Sequence, residues 1–304
     1  MQRNLLRSLA AAVALTAVGV QAQSGAPGNG KLLLTGGVSS IDGAAGGGLT
    51  PWAVTGSYAG SAEVGATAFA TRARTRDYGL TVYGAALAVG DRVEVSLAHQ
   101  DFDAGDNLAP LGLTGLHLKQ DIIGVKLRVA GDAVLDSDSL MPQLAVGLQY
   151  KTAQPGALGP TLTGALGAKE RGTDLYLSAT KLFLAQSILV NGTLRATDAN
   201  QNGLLGFDGA QGAGTKLQPE FSVAMLLSRR VAVGVEYRFK PDNLNNSVLG
   251  PGALKEDDWL DLFVAWAPNK HLSLTLAWVD LGKIAPAVQP RRQNGAYLSA
   301  QVAF

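Results

Sequence analysis

Enzymatic chemistry needs a titratable or nucleophilic group held beside a partner, and this 304-residue chain offers few candidates. Its only histidines are His99, His117 and His271, and cysteine is absent. A Ser–His or Asp–His hydrolase would need one imidazole beside a nucleophile or a water-activating acid on a neighbouring element. The three lie in separate stretches, and the acids within reach of His99 in sequence are Asp101 and Asp103. Asp136-Ser137-Asp138 lacks the further Asp and Gly of a calcium loop, and Glu256-Asp257-Asp258 is a short acidic run. Gly43–Gly48 and Gly209–Gly214 lack the GxGxxG order between a strand and a helix that cradles phosphate. The expectation is a protein that is not an enzyme, with no catalytic residues, no cofactor and no metal.

A second set of charged residues follows a different logic. Glu94, Asp121, Lys126, Arg128, Lys151, Arg195, Glu220, Glu236, Arg238 and Lys240, together with Gln149 and Asn191, stand among alternating apolar residues, as in Val125-Lys126-Leu127-Arg128-Val129. A period of two belongs to a strand between two unlike environments. If one environment is lipid, an Arg or Lys facing it at the bilayer midplane would cost ~2–4 kcal/mol. These side chains are therefore expected to face a lumen. There they would bias a pore towards one sign of ion or neutralise one another across the interior.

That chemistry requires strands that close into one ring. The final stretch, Gly295–Phe304, alternates Leu298, Ala300, Val302 and Phe304 with Tyr297, Ser299, Gln301 and Ala303 up to a C-terminal aromatic. It resembles the terminal strand of bacterial outer-membrane barrels, with Phe304 as the assembly signal read by the barrel-assembly machinery. Further candidate strands are Asp77–Val89, Arg92–Phe102, Lys119–Ala130, Pro142–Thr152, Thr173–Leu184, Ser187–Thr197, Lys216–Ser228, Arg230–Lys240, Asp258–Ala267 and Leu272–Leu281. Short turns such as Gly90-Asp91 and Ala185-Gln186 alternate with long segments such as Asp103–Leu118 and Pro241–Asp257. This is the rhythm of an all-β, antiparallel up-and-down transmembrane barrel with short periplasmic turns and long outer loops. Glu63–Thr75 alternates weakly, since Phe69 and Arg72 fall on opposite parities. Counting it first gives about 12 strands; adding Lys31–Ser39 and the regular Pro51–Ala59 gives about 14, the preferred number.

Composition agrees with such a barrel. Hydrophobic residues make up 47% of the chain and charged residues 16%, yet after the first residues no apolar run is long enough for a spanning helix. Met1–Ala22, with Arg3, Arg7, an apolar run and a small-x-Ala pattern, reads as a secretory signal peptide, which leaves 23–304 as one barrel domain. A net charge of +1 argues against a nucleic-acid partner. Aromatics should sit at strand ends as membrane girdles: Trp52, Tyr150, Tyr237, Phe239 and Trp278 at outer ends, and Tyr58, Trp266 and Phe304 at periplasmic ends. The partners expected are outer-membrane lipid and lipopolysaccharide.

At Leu33–Ser40 (LLTGGVSS), Gly43–Ala53 (GAAGGGLTPWA), Arg74–Glu94 (RTRDYGLTVYGAALAVGDRVE) and Gly131–Lys151 (GDAVLDSDSLMPQLAVGLQYK), the sequence resembles a family of proteobacterial exported proteins, domain of unknown function 3034. The resemblance implies an outer-membrane protein and carries no catalytic residues. The functions expected are a passive channel for small solutes or, alternatively, a non-conducting structural or binding barrel whose outer loops engage a partner or lipopolysaccharide.

Overall fold

The computed structural model describes residues 31, 33–134, 140–210, 214–245 and 247–304; residues 1–22, the expected signal peptide, lie outside the described residues. Two short strands, β1 (Val38–Ser39) and β2 (Ala45–Gly46), pair as a small hairpin. Twelve longer strands follow: β3 (Val64–Thr75), β4 (Gly79–Val89), β5 (Val93–Asp103), β6 (His117–Ala130), β7 (Gln143–Gln154), β8 (Arg171–Phe183), β9 (Ile188–Thr197), β10 (Lys216–Ser228), β11 (Val231–Arg238), β12 (Trp259–Asn269), β13 (Leu272–Asp280) and β14 (Asn294–Ala303). Each pairs antiparallel with its sequence neighbours, and β14 pairs with β3, so the sheet closes into a barrel.

Closure leaves no edge, so every strand's backbone groups can be satisfied within the sheet, as a membrane-spanning sheet requires. The seam runs from Thr75 opposite Gly295 to Thr67 opposite Ala303. It ends where Phe304 donates its amide to the Ala66 carbonyl (2.8 Å) and accepts the Ala66 amide (3.0 Å).

Alternation along the strands sorts side chains between two faces. The outward parity carries Val95, Val125, Leu148, Leu177, Val223 and Leu276, all exposed, while the inward parity carries buried Glu94, Lys126, Gln149, Asn191, Glu220 and Thr275. Broad exposure of large apolar side chains around the wall is the pattern of a surface that faces lipid rather than water. In β3 the two parities that blur its sequence signal are real: Phe69 is buried inward and Arg72 is exposed outward.

The wall therefore has 12 strands, and the expected 14 is corrected. The described residues of Lys31–Ser39, and Pro51–Ala59, do not join it. Together with the residues between them they fold inside the ring as an inner segment that is buried along most of its length. The regular alternation of Pro51–Ala59 has a cause other than lipid on one side. Trp52 and Val54 pack in an apolar cluster with Phe263, Ala265 and Ala277 of β12 and β13. Ala53 instead donates its amide to Thr180 Oγ1 and accepts from Gln143 Nε2 on the polar wall. A lumen apolar on one side and polar on the other imposes the same period of two as a membrane does.

Both ends of the inner segment lie at the barrel end that carries the short turns. Lys31 Nζ is 2.6 Å from Asp91 in the β4–β5 turn, and Thr55 Oγ1 donates to the same carboxylate at 2.6 Å. Between these points the chain forms a loop pushed up into the ring.

Candidate functional site

The site is the lumen, and Asp42 is its centre. Asp42 sits in the tight turn joining β1 to β2, where Ser40 N bonds to Ala44 O and Gly43 adopts a left-handed φ of 89°. This turn aims its carboxylate at three wall cations. Arg238 Nη1 is 3.0 Å away, Lys151 Nζ 3.5 Å and Arg195 Nη2 3.7 Å. The same cations reach wall carboxylates: Lys151 to Asp174 at 2.9 Å, and Arg195 to Asp174 at 3.2 Å and Glu220 at 2.6 Å. Arg238 also reaches Glu220 at 3.1 Å. Three cations thus meet three carboxylates, and charge balances only when Asp42 is present. Asp42 belongs to the inner segment rather than to a wall strand. Burial would raise its carboxyl, but Lys151, Arg238 and Arg195 outweigh it and hold the group well below the usual carboxylate range.

Two further wall groups grip the inner backbone directly. Glu94 accepts the Ala45 amide (3.0 Å) and the Gly56 amide (2.7 Å). Its ion-pair partner Lys126, at 3.1 Å, donates to the Ala45 and Val54 carbonyls at 2.7 and 2.9 Å. Isolated burial of either ion would cost several kcal/mol, and here each is satisfied by the other and by main chain. On the opposite side Glu236 accepts from the Leu49 amide (2.7 Å) and Thr50 Oγ1 (2.5 Å). Trp52 Nε1 donates to Ser222 Oγ, and the Pro51 carbonyl accepts from Thr193 Oγ1 at 2.8 Å. With Gln100 donating to the Ile41 carbonyl and Ser39 donating to Gln301, eight strands hold the segment: β5 to β11 and β14.

Glycine makes the fit possible at two places. A Cβ on Gly47 would run into the Glu236 carboxylate, and one on Gly48 into the Tyr297 hydroxyl. The run Gly46–Gly48 is where main chain passes close to wall side chains. A cavity of about 20 Å³ lies beside Leu34 and Trp52 at the segment's margin, and one of about 10 Å³ lies between Arg195 and Lys240 beside the long loops.

At the long-loop end a second layer covers the same centre. The β9–β10 loop dips inward through Gln201 and Asn202, both at positive φ. Gln201 Nε2 donates to the Leu254 and Ile284 carbonyls, tying three long loops together. Lys240 pairs with Glu256 at 3.4 Å and lies 3.8 Å from the centroid of the Trp259 ring. Burial pushes the Lys240 ammonium down to about 8, against the pull of Glu256.

Of the residues expected in the lumen, Glu94, Lys126, Lys151, Arg195, Glu220, Glu236 and Arg238 point inward and are buried, as are Gln149 and Asn191. Arg128 lies at the short-turn end, paired with Asp91 and Asp132, and Lys240 lies among the long loops. Asp121 is corrected: it shares the parity of Ile123 and Val125, faces outward, and pairs with His99 at 2.6 Å. Tyr150, Tyr237, Phe239, Trp266 and Trp278 stand on the outer face of the wall. Trp52 and Tyr58, expected among them, are corrected; both belong to the inner segment, and Trp52 is buried in the lumen. Asp42, Asn202, Asp174 and Asp261 escaped the sequence reading. The last two could have been found, because they alternate with outward Leu175 and Leu262; Asp42 and Asn202 lie in loops that carry no periodic signal.

This closed antiparallel ring of 12 strands with an apolar outer belt resembles outer-membrane porins in fold. The chain belongs to the family described as protein of unknown function (DUF3034), which it matches over residues 35–301. No curated protein matches in sequence. Among solved structures, the NanC porin aligns with a TM-score of 0.51 at 6% identity, covering 78% of this chain and 98% of that one. The KdgM porin gives 0.49 at 6% identity over 78% and 99%. Outer membrane phospholipase A from Escherichia coli gives 0.40 at 9% identity over 79% and 92%.

Proposed function

We propose that this protein is a porin-like barrel of the bacterial outer membrane, exported through residues 1–22, whose lumen is shut at rest by its own inner segment beneath the long loops tied through Gln201, and which passes small solutes when both move aside. The observation that carries this reading is that the inner segment enters and leaves through one end of the ring, near Asp91, while its turn reaches Asp42 in the middle. A loop inserted in this way can leave without threading a chain terminus through the barrel. The polar wall gives a second reason. A lumen meant to stay filled is closed as well or better by apolar packing than by buried ion pairs, whereas a wall rich in Glu94, Lys126, Lys151, Arg195 and Arg238 suits water. In this orientation the short turns face the periplasm and the long loops face outside. Phe304, at the seam, is the signal for the assembly machinery, and the protein is not an enzyme.

Planar-bilayer recording tests this. The intact protein should show closed baselines with rare openings, and a deletion variant lacking residues 33–59, with Gln201→Ala added to untie the long loops, should show steady ohmic steps. Steady open steps from the intact protein would overturn the shut resting state. A folded but silent deletion variant would overturn the channel and favour the alternative, a non-conducting barrel.

A further inference from the structure

The outward face of β3 changes character partway along. Val64, Ala66, Ala68 and Ala70 give way to Arg72 and Arg74, with Arg76 just beyond the strand, and all three arginines are exposed. Eight residues separate Val64 from Arg72, a rise of about 20 Å across a tilted wall strand. That distance is close to the ~25 Å height of the apolar band on such barrels. An Arg costs ~2–4 kcal/mol at the bilayer midplane and only ~0–1 kcal/mol near its interfaces. Arg72 and Arg74 therefore mark the outer boundary of the lipid-facing belt, with their guanidinium groups at headgroup height.

The surroundings leave these cations without carboxylates. Across the seam, β14 sets Leu298 and Ala296 opposite Arg72 and Arg74; on the other side, β4 sets Thr81 and Gly79 there. Arg72 Nη1 donates to Thr81 Oγ1 at 2.8 Å, which fixes its direction while leaving further N–H groups unused. The nearest acids on this face, Asp101 and Asp103, lie one strand further on, and Asp101 is engaged by His117 and Lys119. Asp77, beside Arg76 in sequence, is engaged by Arg291 and Gln293. Among the described residues none of the three arginines forms a salt bridge.

We propose that Arg72, Arg74 and Arg76 bind the phosphate groups of a phosphorylated lipid in the outer leaflet. The planar guanidinium fork matches phosphate oxygens in pairs, and three such forks at the end of β3 and the turn after it suit a headgroup with more than one phosphate. The alanines below them leave a shallow lane for acyl chains against the wall. The inference rests on the membrane-spanning reading above and is independent of whether the lumen conducts.

Native mass spectrometry of the full-length protein in nanodiscs doped with bisphosphorylated lipid A tests it. The intact protein should retain lipid A, and R72Q/R74Q/R76Q should bind it at least tenfold more weakly. R229Q/R230Q, which removes charge from the turn at the opposite end, should leave retention unchanged. Dephosphorylated lipid A should bind the intact protein as poorly as the triple variant binds the phosphorylated form, and millimolar inorganic phosphate should not compete. Equal retention by the triple variant, or equal loss in R229Q/R230Q, overturns the proposal. Full competition by inorganic phosphate overturns its lipid part by showing a site for the free anion. Failure of the intact protein to insert into vesicles would instead count against the membrane-spanning reading.

Discussion

Asn202 of the β9–β10 loop donates its side-chain amide to Asp42 of the inner segment at 2.8 Å, while its side-chain oxygen accepts from Arg238 at 2.8 Å. One loop residue thus joins the cover at the long-loop end to the segment inserted from the other end, on the carboxylate that balances the central charges. Asp42→Ala leaves Lys151, Arg195 and Arg238 facing only Asp174 and Glu220. Removing one partner of a buried ion pair costs ~3–5 kcal/mol. The expected outcome is a folded barrel with a loosened segment, read as a large rise in opening frequency in bilayers. Asn202→Ala should act in the same direction and less strongly.

Acid should weaken the same contact in a defined window. Because the Asp42 carboxyl is held below its ordinary value, its contribution is complete above about pH 4, the unfolded carboxylate value, and is lost as pH falls from there towards the lower folded value. In urea-unfolding measurements the intact protein should exceed Asp42→Asn in stability by a constant amount from pH 7 to 5. The gap should narrow below about pH 4. A gap that widens on acidification would reverse the assigned sign.

Gly47→Val and Gly48→Val place side chains where the Glu236 carboxylate and the Tyr297 hydroxyl already stand. Overpacking of this kind costs typically ~1–3 kcal/mol, and relief lies in moving the inner segment, since the wall is fixed by its ladders. Protease cleavage between residues 33 and 59 in detergent should become faster in both variants, with the barrel itself intact. Unchanged cleavage would mean that the segment accommodates the added groups in place.

Lys126 holds two inner carbonyls and Glu94 together. Lys126→Met should raise opening frequency by releasing Ala45 and Val54. In the background lacking residues 33–59, Lys126→Glu should shift reversal potentials towards cation preference, because the substitution moves the lumen by two charges. An unshifted reversal potential there would place Lys126 away from the conducting path.

Deleting Phe304 removes the last two main-chain hydrogen bonds of the seam, each worth ~0.5–1.5 kcal/mol net. Accumulation in the outer membrane should fall well beyond that modest thermodynamic cost if the residue also serves assembly. A decrease that follows stability alone would confine Phe304 to the seam.

Sequence alone makes the wall legible strand by strand. β6 declares its faces because Lys126 cannot share a side with Val125 and Leu127, and the same reasoning finds Glu94 and Arg238. It misplaces Asp121, which lies above the apolar residues of its own face and pairs with His99 there, so charge by itself is no guide near a strand end. The inner segment misleads for a sharper reason. Trp52 and Val54 alternate with Ala53 and Thr55 as a wall strand would, and nothing local to Pro51–Ala59 tells lipid from the apolar side of a lumen. The contacts that settle it, from Ala53 to Thr180 and from Gly56 to Glu94, join residues 127 and 38 positions apart.

The seam sets where the ring must close. Only residues 60–63 separate the inner segment from β3, and β3 is the strand that must find β14, the last to be made. Ring closure therefore happens beside the point where the loop enters. A ring that closed with the loop outside would enclose water against its charged wall, whereas one that curls around the loop gains hydrogen bonds on eight strands as it shuts. The loop is placed to be enclosed as the ring shuts, while the wall's own ladders hold the ring closed.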